Sequence, residues 1–185
     1  GSGSATASYD VEGRYSEALN PIWKDGKLYC VGFYADRRDN RYNGLEYLEI
    51  APENLRILKR KHHPFSQQFM FDKFGTEDEK VVKNLIFKDA RFTEDGSLLF
   101  NAEENFVTQS VEANPSGGRV QVERYHHNDI VSVKLNAAGD LEWARNINKT
   151  EVTQGDGAYA SYSSYSKGGD TYFFICTAAD NPILL

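Results

Sequence analysis

Two acidic pairs, Glu94-Asp95 and Glu103-Glu104, are the residues of this chain best suited to carry a reaction. Paired carboxylates hydrolyse glycosidic bonds, one protonating the leaving oxygen while the other attacks or activates water, so Glu103 and Glu104 are candidate catalytic residues. Neighbours in a strand point to opposite faces, so at most one of the two faces any given pocket. A second cluster, Asp36, Asp39, Asn40 and Asn43, offers the oxygen ligands that calcium takes, without EF-hand spacing. A solvated hairpin loop accounts for it better, and no cofactor is expected. Arg56, Lys59, Arg60 and Lys61, followed by His62-His63, form the single basic run of an acidic chain. Such a run suits an anionic glycan or an acidic partner, more strongly once the imidazoles protonate below about pH 6.5, or it is simply an exposed strand end. Trp143 with Tyr159, Tyr162 and Tyr165 offers aromatic faces that either stack on sugar rings or pack between sheets. The pairs His62-His63 and His126-His127 each split across two faces of a strand, which leaves neither a two-ligand metal site. No phosphate-binding loop, nucleophile elbow or H-E-x-x-H motif occurs.

Composition narrows the classes. The chain has 185 residues, a formal net charge of −6, eleven Tyr, eleven Phe and one Met. A length of this order builds one domain with a real core, and the aromatic-rich, Met-poor balance favours strands over a helical bundle. The acidic balance argues against nucleic-acid binding, which needs a basic surface. No run of about eighteen apolar residues is present, so no membrane span is expected. Cys30 and Cys176 both lie among large apolar residues, where buried free thiols fit better than a disulfide, and C-x-x-C is absent. Residues 1–8, GSGSATAS, read as a linker or processing stub, leaving 9–185 as a single β-rich domain.

The elements that must hold these residues are mostly strands. Tyr125 to Ile147 reads as a hairpin, with Ile130, Val131, Val133 and Leu135 on one strand, a turn at Asn136 to Asp140, and Leu141, Trp143 and Ile147 on a packed face of the return strand. Asp25-Gly26 signals a type I′ turn into Leu28 to Tyr34, and Leu45 to Ile50 forms its partner across a polar loop. Leu55 to Lys59, Phe87 to Phe92, Ser97 to Phe106 and Thr171 to Thr177 read as further strands. One or two short helices are expected around 66–86: Ser66 to Phe74, with Pro64 at its start, and Asp78 to Ile86. Thr108 to Glu123 reads as a long polar loop with its tip at Asn114 to Gly118.

Three turn-then-strand units, Asp25-Gly26-Lys27-Leu28-Tyr29, Asp95-Gly96-Ser97-Leu98-Leu99 and Gly169-Asp170-Thr171-Tyr172-Phe173, suggest antiparallel four-stranded blades, a partial β-propeller-like fold with a β-sandwich as the alternative. The run HNDIVSVKLNAAGDLEWARNINK, then GDGAYASYSSY, then GGDTYFFICTAADN, resembles the repeat of uncharacterised exported β-propeller-like proteins of Bacteroidota, most strongly over Tyr125 to Asn181. The resemblance implies a propeller-like fold and an exported location, in the periplasm or at the cell surface. It brings no catalytic residues with it. About two and a half blades fit the chain, whereas closed propellers use four or more. The chain is therefore expected to be a piece of a longer propeller, or to complete its sheets with a second copy or another chain. The function expected is a binding or scaffold module at the cell envelope or outside the cell, recognising a protein or glycan. Alternatives are a polysaccharide-acting hydrolase with paired carboxylates and a structural subunit that self-associates through open sheet edges.

Overall fold

The computed structural model describes residues 4, 6–9, 13–38, 41–76, 81–154, 160–167 and 169–175. Strands β1 (Tyr15–Lys24), β2 (Lys27–Ala35), β3 (Gly44–Ile50) and β4 (Ile57–Pro64) form an antiparallel meander in that order. Asp25 and Gly26 both take positive φ, 50° and 75°, as the type I′ turn between β1 and β2 requires. A second antiparallel sheet orders β5 (Leu85–Phe92), β6 (Leu98–Ala113), β7 (Arg119–Leu135) and β8 (Leu141–Ile147), with the short β9 (Val152–Gln154) also paired to β7. Strands β10 (Tyr162–Lys167) and β11 (Asp170–Ile175) make a separate hairpin. The fold is thus all-β, with antiparallel sheets that do not close, an arrangement compatible with a partial propeller or a sandwich.

Period-two alternation builds the core. Val31, Phe33, Leu45 and Tyr47 of the first sheet share one cluster with Leu98, Phe100, Ala102, Val131, Val133, Leu135 and Ala144 of the second. Phe33 sits at its centre, edge-on to Phe100 at 6.2 Å and stacked on Tyr42 at 5.2 Å. Between the sheets runs α1 (Gln67–Phe74), which buries Phe69 against Phe65 at 4.5 Å. Ser66, not Pro64, starts this helix: its hydroxyl accepts from the Phe69 N–H, while Pro64 ends β4. Gly75 at φ 67° closes the other end by donating to the Phe71 carbonyl.

The three turns that join β5 to β6, β6 to β7 and β7 to β8 share one hydrogen-bond plan. The first turn residue, Thr93, Asn114 or Asn136, donates its N–H to the carbonyl four residues on. It also receives the N–H of a left-handed glycine, Gly96, Gly117 or Gly139. Asp95, Asn114 and Asn136 add side-chain acceptors for N–H groups two residues ahead. Thr93 and Ser97 hold the Asp95 carboxyl down to about 2, the Thr93 hydroxyl contributing most.

Several expectations are corrected. The loop expected over 108–123 is strand: β6 and β7 continue as a long two-stranded ribbon, and only residues 114–118 turn. Gln109 interrupts the face that carries Val107 and Val111, so the ribbon prints no unbroken apolar alternation in the sequence. The second helix is not formed where it is described, since Val82 bridges Tyr42 and β5 starts at Leu85; residues 77–80 lie outside the described residues. Trp143 does not join the packed face. The register slips between Lys134 and Leu135, so Leu141 stays on the core side opposite Leu135, while Trp143 pairs with Lys134 on the other face at 37% exposure. Ala144 and Asn146 take the buried places. Cys30 is a buried free thiol, its pKa pushed up by burial and by Glu46; Cys176 lies outside the described residues.

Candidate functional site

Glu103 and Glu104 leave β6 on opposite faces at the end of its pairing with β5, where Glu103 lies opposite Ile86 and Glu104 opposite Leu85. Glu103 is fully buried inside an ionic cluster. Its Oε2 accepts from the Ser161 hydroxyl at 2.7 Å and stands 3.3 Å from Lys88 Nζ. The buried Lys149 ammonium lies 3.0 Å from Oε1, off the line of a hydrogen bond, so that contact is an ion pair. Lys149 also donates to the His127 carbonyl, and Glu151 takes the Ser161 N–H at 2.8 Å. Burial alone would raise the Glu103 carboxyl; Ser161, Lys149 and Lys88 outweigh it and hold the group below its ordinary value. The same contacts fasten the β10–β11 hairpin, helped by the Ser164 hydroxyl donating to Asp89 at 3.4 Å.

Glu104 belongs to a different cluster. Lys73 of α1 reaches Glu104 at 3.0 Å and Asp129 at 2.6 Å, and Arg145 of β8 clasps Asp72 at 2.5 Å. These contacts pin the helix to the second sheet. The two carboxylates therefore share no pocket, and each spends its charge on a lysine.

The basic run is split by strand alternation. Arg60 reaches the buried Glu46 at 3.0 Å, with His62 Nε2 3.4 Å from the same oxygen, on one face of β4. Lys59 turns to Glu49 at 3.0 Å and Lys61 to Asp140 at 2.5 Å on the other, where His63 Nε2 meets the Gly139 carbonyl at 2.8 Å. Burial raises the Glu49 carboxyl, and the Tyr47 hydroxyl and Lys59 together lower it further than that. Arg56 stands just before β4, exposed and apart from these pairs. Together Lys59, Lys61 and His63 tie the first sheet to the β7–β8 turn. Of the proposed oxygen ligands, Asp36 faces Arg14 at 3.8 Å, and Asp39 and Asn40 lie outside the described residues. Among the described residues no cluster of His, Cys, Asp and Glu has the form of a metal site.

Tyr162 packs inward, edge-on to Phe173 at 5.5 Å with Lys88 over its ring, and burial pushes its phenol well up. Tyr159 lies outside the described residues, and Tyr165 points outward with Tyr172. His126 and His127 divide as expected, the first stacked on Phe106 at 4.4 Å, the second 3.0 Å from Asn105.

The surface the sequence did not signal is the ribbon itself. β5 stops pairing with β6 at Glu104, and a bulge follows before Asn105. Asn105 turns its N–H away from β7 to the Asn84 carbonyl at 2.8 Å. By alternation, Val107, Gln109 and Val111 also aim their N–H and C=O groups away from β7. Among the described residues no strand lies against that side. The chain matches no known protein family, no curated protein and no solved structure. What the geometry offers is a row of unpaired backbone groups flanked by Val107 and Val111, which are 48% and 66% exposed. Such an edge accepts another strand.

Proposed function

We propose that the chain is a binding or scaffold module, working at the cell envelope or outside the cell, that docks a protein partner by strand addition along the outer edge of β6. The setting is proposed on the resemblance of Tyr125 to Asn181 to the repeat of exported Bacteroidota proteins. The docking mode is supported by one observation above the others: from Asn105 onward β6 has β7 on one side and no described strand on the other. A two-stranded ribbon is marginal in water by itself. This one is braced by Arg124, which donates to Ser110 at 2.8 Å and pairs with Glu112, and by Gln109, which accepts from Gln121 at 3.1 Å and donates to Glu123 at 2.8 Å. A stiff ribbon with open backbone groups gives an incoming strand its hydrogen bonds, while Val107 and Val111 give its side chains apolar contact. Hydrolysis is the weaker reading, because Glu103 and Glu104 are both neutralised and face apart.

The test removes the ribbon and keeps the core. Residues 109–123 are excised and Thr108 is joined to Arg124 by Asn-Gly, which closes an existing hydrogen-bonded cross-strand pair with a two-residue turn. Random peptides displayed on phage are selected against the intact protein. The expected ligands are extended, alternating sequences that fail to bind the shortened variant. Ligands that bind both forms equally would contradict the proposal.

A further inference from the structure

We infer that the strand added to this edge comes from a second copy of the same chain, paired antiparallel about Gln109. The inference rests on the docking mode proposed above and names its occupant. Soluble proteins guard exposed edges with charge, proline or bulges. The stretch Asn105 to Val111, NFVTQSV, carries neither a charged residue nor a proline in a chain of net charge −6, and its bulge lies before Asn105. The next residue, Glu112, is neutralised within its own chain by Arg124. Two copies therefore meet along this edge without opposing their charges.

The edge is also its own complement. Val107, Gln109 and Val111 alternate on one face with outward-aimed backbone groups. A twofold axis at Gln109 sets Gln109 opposite Gln109 of the other copy and Val107 opposite Val111 in both directions. Asn105 then faces Ala113. The Gln109 pair and the two Val107–Val111 pairs are hydrogen-bonded antiparallel pairs, while the Asn105 N–H stays on the Asn84 carbonyl and ends the ladder; the result is a continuous four-stranded sheet, β7-β6-β6-β7, with four valines flanking the axis. Tyr125, opposite Val107 on β7, extends the apolar strip.

Light scattering on a sizing column, over a range of concentrations, is expected to give twice the 20.9 kDa chain mass at high concentration. The exposed double variant V107K/V111K, which sets lysine against lysine across the axis, is expected to run as a monomer with an unchanged circular dichroism spectrum. Register is read by cysteine. Hydrogen-bonded partners place Cα atoms about 5.5 Å apart, within disulfide reach. Q109C is thus expected to cross-link to a dimer under mild oxidation, and Q121C, one strand further from the axis, to cross-link no more than the wild-type chain. A wild-type monomer at every concentration, a dimer that survives V107K/V111K, or equal cross-linking of Q109C and Q121C would each overturn the inference. A monomeric wild type whose selected peptides still need the ribbon would remove the second copy and leave the docking edge. Loss of both results would remove the docking edge as well.

Discussion

At the scale of single residues, the most consequential side chain is Glu103. Its sequence neighbourhood marks it as a carboxylate of interest, but its partners are far away in the chain: Lys149 and Ser161 reach it only through the fold. No local pattern announces such a cluster, which is why its residue is legible in the sequence and its surroundings are not. Removing one partner of a buried pair leaves the other charge uncompensated, at a cost of about 3–5 kcal/mol. Glu103→Ala is therefore expected to lower stability by up to that order in urea denaturation, because the buried Lys149 keeps only Glu151, at 3.4 Å, as a carboxylate partner. Acid should act through the same group. The folded Glu103 carboxyl lies below its ordinary value of 4.5, so its contribution is complete above that value and is lost as pH falls through the lowered one. Glu49, lowered in the same direction, adds to the loss. Thermal melts are expected to decline modestly below the ordinary histidine value of 6.5, because burial holds the His62 imidazole lower, and to fall more steeply below the carboxylate range near 4. A melting temperature unchanged down to pH 3 would contradict the assignment.

At the scale of elements, the turns show what local sequence can specify. Asn136 to Asp140 signals a reversal with a positive φ, and Gly139 takes that place at φ 80°. Gly117 holds the equivalent position of the ribbon tip at φ 87°. The two differ in surroundings. A Cβ on Gly139 would lie 2.3 Å from the Tyr47 ring, whereas one on Gly117 meets nothing within 4 Å. Gly117→Ala is expected to cost only the left-handed backbone penalty, about 1–2 kcal/mol. Gly139→Ala should cost clearly more, because the first sheet must give way around Tyr47 as well. Equal losses in the two melts would mean that the β7–β8 turn does not press on the first sheet. The ribbon between these turns shows where sequence reading fails. Thr108, Gln109, Ser110 and Glu112 look like loop residues because no apolar face repeats among them; pairing to β7 makes them strand. Trp143 departs from its expected face for a related reason, since one extra residue in β8 exchanges the faces beyond it.

At the scale of the whole molecule, the all-β character was legible from aromatic content, turn signals and strand alternation, and the core lies between the two large sheets as period-two patterning demands. The open outer edge of β6 was not legible, because it depends on where β5 stops. Apart from Val122, which is buried within the ribbon, the core residues of β6 and β7 lie at Leu98 to Ala102 and Ile130 to Leu135, away from it. Excision of 109–123 is accordingly expected to leave a folded protein with a cooperative melt. A shortened variant that fails to fold would show that the ribbon is structural, not a docking arm. The measurement that bears most directly on the account is residue-resolved amide exchange across protein concentration. Phe106, Thr108, Ser110 and Glu112 donate toward β7 and should be protected throughout, while Val107, Gln109 and Val111 should exchange freely in dilute solution and slow together as concentration rises. Exchange at those three amides that stays fast at every concentration, and with selected strand peptides added, would show that nothing docks on this edge.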